Sequence, residues 1–100
     1  MRKRTKPQKR DEFRDNKKSG HPAYIYQRVG NEFKFLGVTH AKVTRGVKNI
    51  PLESNPNPKD SRKAYVKPVS ERQKTTSFKS VKRGWRLTEK DKKKIERYTK

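Results

Sequence analysis

The sequence predicts a small, mostly β domain with one C-terminal helix. Three observations lead there. Ten of the 17 Leu, Ile, Val and Phe residues fall between Pro22 and Glu53. Two runs of strand-forming residues in that segment flank Gly30-Asn31, a two-residue hairpin signal. Thr88 then opens a Lys-rich segment in which Ile95 and Tyr98 share one helical face. A chain of 100 residues has room for one domain. Its Leu, Ile, Val and Phe content lies below about 20%, and its net charge is +20, a composition for which disorder is the default. The folded unit is therefore expected over 19–100. Residues 1–18, with nine basic and three acidic side chains and Phe13 as their single aromatic, read as a disordered basic arm.

The elements follow in order. With Gly30 and Asn31 as the loop, Val29 faces Glu32, Arg28 faces Phe33, Tyr26 faces Phe35, Ile25 faces Leu36, Tyr24 faces Gly37 and Ala23 faces Val38. Ala23, Ile25, Leu36 and Val38 then line one face, and Tyr24, Tyr26, Phe33 and Phe35 the other. A three-residue loop or a bulge would break this register. Thr44-Arg45-Gly46 is a turn leading to a third strand over 48–53. Pro51 there lacks an amide donor and indicates an edge strand or a bulge. Two Asn-Pro steps make 54–63 an irregular loop. A short fourth strand is expected over 64–69 and a flexible stretch over 70–86, which Trp85 ends by packing on the core. Thr88 caps a helix over 89–98, with Asp91 three residues on, where Glu is the standard capping-box residue.

Thirty Lys and Arg against ten Asp and Glu point to a polyanionic partner, because such self-repulsion destabilises a compact state unless it is screened. Nucleic acid is the expected partner, single-stranded RNA first. DNA stays open, because nothing identifiable reads a 2′-hydroxyl. Charge serving solubility alone would mix its signs. No segment is long and apolar enough to span a bilayer, and the N-terminus has charge without an apolar stretch behind it, so a cytoplasmic protein is expected. The absence of cysteine removes disulfides and thiolate metal sites. No phosphate-binding loop, dinucleotide fingerprint, zinc spacing or nucleophile elbow is present, and no metal or cofactor is expected.

The hairpin register also sets His21 opposite His40 at its open end. Two imidazoles there suit metal-free acid–base cleavage of RNA by its own 2′-hydroxyl. Lys42, Arg45 and Arg62 would stabilise charge developing on phosphorus. The same pair equally suits plain phosphate or base contact, or a structural role. Tyr24 and Tyr26, beside Arg28, either stack bases or form the core beneath Trp85 and the helix. Arg62, Lys63 and Tyr65 either grip phosphate, or Asp60 and Arg62 merely brace the loop. Lys92, Lys93 and Lys94 give the helix a basic face.

Gly20-His21-Pro22-Ala23-Tyr24-Ile25, then Leu36-Gly37-Val38-Thr39-His40, then Asn49-Ile50-Pro51-Leu52, resemble the MazF/PemK-like toxin family, as does the ending Gly84-Trp85-Arg86-Leu87-Thr88-Glu89. That family shows a G-R-P segment entering a strand, a strand ending in I-T-S, an L-P step and a closing Leu-Ser pair before the last helix. The resemblance implies a small SH3-like β-barrel, a homodimer, metal-independent endoribonuclease activity and restraint by an acidic antitoxin protein. By position, His21 stands at the family's active-site Arg, Thr39 matches its Thr, and His40 stands where Ser is usual. The family's first strand has no counterpart, residues 1–18 being the basic arm. The alternative expectation is a non-catalytic RNA- or DNA-binding protein, ribosome-associated or accessory to a mobile element.

Overall fold

The computed structural model of the chain describes residues 6–99. Eight strands run in chain order: β1 Gln8–Asn16, β2 Pro22–Val29, β3 Glu32–Thr39, β4 Val43–Thr44, β5 Val47–Lys48, β6 Ile50–Pro51, β7 Tyr65–Lys74 and β8 Phe78–Val81. A 3-10 turn, Thr75–Ser77, joins β7 to β8, and the helix α1, Glu89–Ile95, ends in a second 3-10 turn at Glu96–Tyr98. Six strands form one antiparallel sheet in the order β6-β7-β3-β2-β1-β8, and β4 and β5 form a separate ribbon. No helix among the described residues is long and apolar enough to cross a membrane.

This architecture corrects the expected barrel. The sheet is open: β6 and β8 are its two edges and do not pair with each other. Backbone chemistry explains the open edge. β6 has two residues, one of them Pro51, and β7 beyond Val66, where β6 no longer pairs with it, carries Pro68. Neither proline has an amide with which to close a ladder.

The arm is corrected as well. Gln8–Asn16 lies inside the sheet, between β2 and β8. Its one aromatic, Phe13, is 1% exposed and its Asn16 is buried, while the long charged side chains occupy the remaining positions. One buried ring suffices because β2 pairs with most of the strand and β8 joins it at Arg14 and Asn16. Residues 1–5 of the expected arm lie outside the described residues.

The hairpin turn at Gly30-Asn31 and the pairs Val29–Glu32 and Arg28–Phe33 are as the sequence predicts. Past them the register slips by one. Tyr26 is an extra residue on β2, so Ile25 pairs Phe35, Tyr24 pairs Leu36 and Ala23 pairs Gly37. β1 slips at the same level, between Lys9 and Glu12, and β7 between its partners for Leu36 and Val38. Three bulges bend the sheet sharply. Phe78 of β8 consequently meets Phe33 and Phe35 of β3, at ring-centroid distances of 5.5 and 5.0 Å, although two strands lie between. The Thr75–Ser77 turn ties the bend. Thr75 N–H donates to Asn31 O (2.8 Å), and Lys17 N–H donates to Ser77 O (2.8 Å). The expected flexible stretch over 70–86 is thus mostly strand and turn.

The slip splits the expected aromatic face. Phe33 and Phe35 pack with Ala23, Ile25 and Phe78 inside the curl. Tyr24 and Tyr26 join Phe13, Leu36, Val38, Leu52, Val66, Leu87 and Ile95 on the opposite face, with Trp85 and Tyr98 packed against them. Lys67, rather than Tyr24, lies over the bare Gly37. Thr88 caps α1 as expected, its hydroxyl accepting from Asp91 N–H (3.1 Å).

Asp11 anchors the helix to β1. It accepts from the Tyr24 hydroxyl (2.9 Å) and pairs with Lys92 (2.8 Å). Burial pushes the Asp11 carboxyl up, but hydrogen bonds from Lys92 and Tyr24, with the charges of Lys92 and Arg86, outweigh it and hold the pKa below its ordinary value of 3.8. A depressed carboxylate stabilises the fold above that ordinary value, and this contribution is lost as pH falls through the folded-state pKa. In an acid titration followed by circular dichroism, Asp11→Asn should be less stable at neutral pH and lose less stability below about pH 4. Parallel acid limbs for the two proteins would refute the anchor.

Candidate nucleic-acid interface

His21 and His40 both line a pocket of about 220 Å³, with Pro22, Val38, Thr39, Ala41, Asn55, Asp60 and Trp85. The slipped register, continued outward from Ala23–Gly37, sets His21 level with Thr39, not with His40 as the regular hairpin predicts. The His40 ring is half-exposed and held on both sides by the chain. Its Nδ1 donates to Lys63 O (3.0 Å) and its Nε2 lies 3.7 Å from Asp60 Oδ2. Nδ1 is thereby occupied, while Nε2 lies beyond hydrogen-bond distance of Asp60.

Asp60 is fixed in turn. Arg62 grips it through Nε (3.0 Å) and a terminal nitrogen (2.7 Å), while the Arg62 backbone N–H donates to Oδ1 (2.9 Å). The Arg62 side-chain and backbone hydrogen bonds hold the Asp60 carboxyl far below the usual carboxylate range. Asp60 and Arg62 therefore brace the Asn-Pro loop. Arg62 remains 70% exposed at its outer surface, so bracing leaves its guanidinium open to an anion.

The other predicted residues scatter. Tyr24 and Tyr26 are 6% and 7% exposed and spend their hydroxyls on Asp11 and Ser70, so neither ring offers a face for stacking. Arg28 is half-buried, its Nε donates to Gly30 O (2.9 Å), and its guanidinium lies over the Phe33 ring. Tyr65 is half-buried and pairs with Thr39 across β3 and β7. Lys92 is committed to Asp11, Lys94 donates to Pro51 O (3.1 Å), and Lys93 is exposed. Lys42 and Arg45 belong to the β4–β5 ribbon, whose first strand leaves the pocket wall at Ala41.

The sequence reading missed how charge is apportioned. Among the described residues, every carboxylate except Glu71 and Glu96 has a basic nitrogen within 4 Å. The stretches 33–52, 61–70 and 72–88 contain no Asp or Glu at all. Lys42, Arg45, Lys48, Lys63, Lys79 and Arg83, all in those stretches, are exposed and have no such partner among the described residues. Lys82 stands 4.7 Å from the Trp85 ring beside the pocket, a contact invisible without the tertiary structure. The acid-free runs were the available signal. No group of three or more His, Cys, Asp or Glu among the described residues is placed to hold a metal ion.

No protein-family model, no curated protein and no solved structure matches this chain. The toxin-family identity therefore has no support beyond its short motifs, and the open sheet departs from the barrel it implied.

Proposed function

We propose that this chain is a non-catalytic nucleic-acid-binding protein that holds single-stranded RNA by its phosphates. The observation that carries this reading is the apportioning of charge: acids are neutralised in ion pairs, while cations from three acid-free stretches stand exposed. Such a surface releases counterions when a polyanion binds. The single α-helix among the described residues is seven residues long and buries Asp91 and Ile95 against the core. Its exposed face adds Lys90, Lys93 and Lys94 to the basic surface. The His40 Nδ1, spent on the Lys63 carbonyl, favours a contact role over a proton shuttle.

The test is a gel assay of labelled single-stranded RNA in EDTA, scored for shift and for cleavage, with matched DNA beside it. The expected result is a shift without cleavage, weakening by about a hundredfold or more between roughly 50 and 200 mM salt. His21→Ala and His40→Ala should keep the wild-type salt slope. Cleavage that both substitutions abolish would overturn the non-catalytic reading, and the absence of any salt-sensitive shift would overturn RNA binding itself.

A further inference from the structure

The β4–β5 ribbon stands apart from the six-stranded sheet, and nothing in the core explains it. Val43 and Val47 are 48% and 49% exposed, unusual for valines in paired strands. The ribbon is nonetheless built to be rigid. Arg45 (φ 51°) and Gly46 (φ 78°) form a tight turn in the left-handed region, which matches the twist of a two-stranded ribbon. Asn49, buried, clamps the root. Its Nδ2 donates to Ala41 O (2.9 Å) and to Thr44 Oγ1 (2.8 Å), and its backbone N–H donates to Lys42 O (2.9 Å). The ribbon lies wholly inside the acid-free stretch 33–52, and Lys42, Arg45 and Lys48 are exposed along it.

Resting on the RNA-binding reading above, we propose that this ribbon is a preformed finger. It grips the phosphate backbone of the bound strand through Lys42, Arg45 and Lys48, and lays Val47, on the face that it shares with Thr44, against sugars and bases. Charge complementarity selects a polyanion over an apolar protein partner. A clamped root means that little conformational entropy is lost on binding, so contacts at the tip add to affinity rather than offset the cost of ordering a loop. The ribbon leaves the pocket wall at Ala41, so a strand lying past His40 and Lys63 continues onto it.

The test uses the full chain with Lys42→Gln, Arg45→Asn and Lys48→Gln combined. Asn tolerates the positive φ of position 45. Three lost phosphate contacts at about 0.7 each should reduce the salt slope by about 2, and so weaken binding about a hundredfold at roughly 0.1 M salt. Because the chain has no cysteine, Val47→Cys gives a single site for a thiol-linked photocrosslinker, which should capture the RNA. Wild-type affinity and slope in the triple variant, with no crosslink from position 47, would overturn the finger while leaving RNA binding intact. Failure of the wild-type chain to bind RNA would overturn both.

Discussion

Replacing Phe35 by alanine should remove about 3–5 kcal/mol of stability, the usual cost of deleting a buried aromatic ring. Phe35 is 2% exposed and meets Phe78 edge-on, at 5.0 Å and an interplanar angle of 77°. That contact joins β3 to β8 across two intervening strands, so it holds the curl of the sheet as well as filling space. Against a total of about 5–15 kcal/mol for a domain, the loss is severe. In a domain of this length each kcal/mol is worth about 4–8 °C, so thermal unfolding should show a Tm lower by roughly 15 °C or more. Val69→Ala, at a side chain 56% exposed, should stay within about 0.5 kcal/mol as the comparison. A Phe35→Ala protein within about 1 kcal/mol of wild type would show that the inner cluster does not hold the fold together.

Asp91→Ala should cost about 2–4 kcal/mol. This carboxylate is 0% exposed. It accepts from the backbone N–H groups of Glu53 (2.8 Å) and Ser54 (3.4 Å) and lies 3.8 Å from Lys94 Nζ. It thereby ties α1 to the chain leaving β6, where few apolar side chains could do so. Alanine would take the charged acceptor from these two amides, and a hydrogen bond to a charged group is worth about 1.5–3 kcal/mol. Asp91→Asn keeps one acceptor oxygen and should recover part of the loss, giving the order wild type, Asn, Ala in urea midpoints. Thr88→Ala, which removes only the helix cap, should cost about 1 kcal/mol. Equal midpoints for wild type and Asp91→Ala would mean that the helix is docked by Ile95 alone.

Those two residues mark where local reasoning was sufficient and where it was not. Thr88 as N-cap, Gly30-Asn31 as a turn, a second turn at Thr44-Arg45-Gly46 (Thr44 itself ends β4), Pro51 at an edge strand or a bulge and Trp85 packed on the core were legible, because backbone preference acts over a few residues and a lone large ring seeks the core. Asp91 was legible only as a capping-box position. Its carboxylate instead turns away to two amides nearly forty residues earlier, a partner that no local pattern names. β1 was missed for a related reason: its single buried Phe13 gives almost no alternation, and its strand character comes from neighbours on both sides.

For the candidate site, both histidines line one pocket, but the facing drawn from a regular hairpin fails at the Tyr26 bulge. One extra residue turns each later side chain to the opposite partner, since strand periodicity is two. The same slip sends Tyr24 and Tyr26 to the helix-covered face and Phe33 and Phe35 to the inner one.

By itself the sequence determined the mostly β character, the turns, the helix cap and the overwhelming positive charge, all consequences of residue chemistry and short-range backbone preference. Only the tertiary structure decided that the sheet stays open, that the chain's first described segment is a paired strand, and which cations remain free once the acids have found their partners. Register, closure and ion pairing depend on which distant segments meet, and a bulge of one residue is enough to change the register.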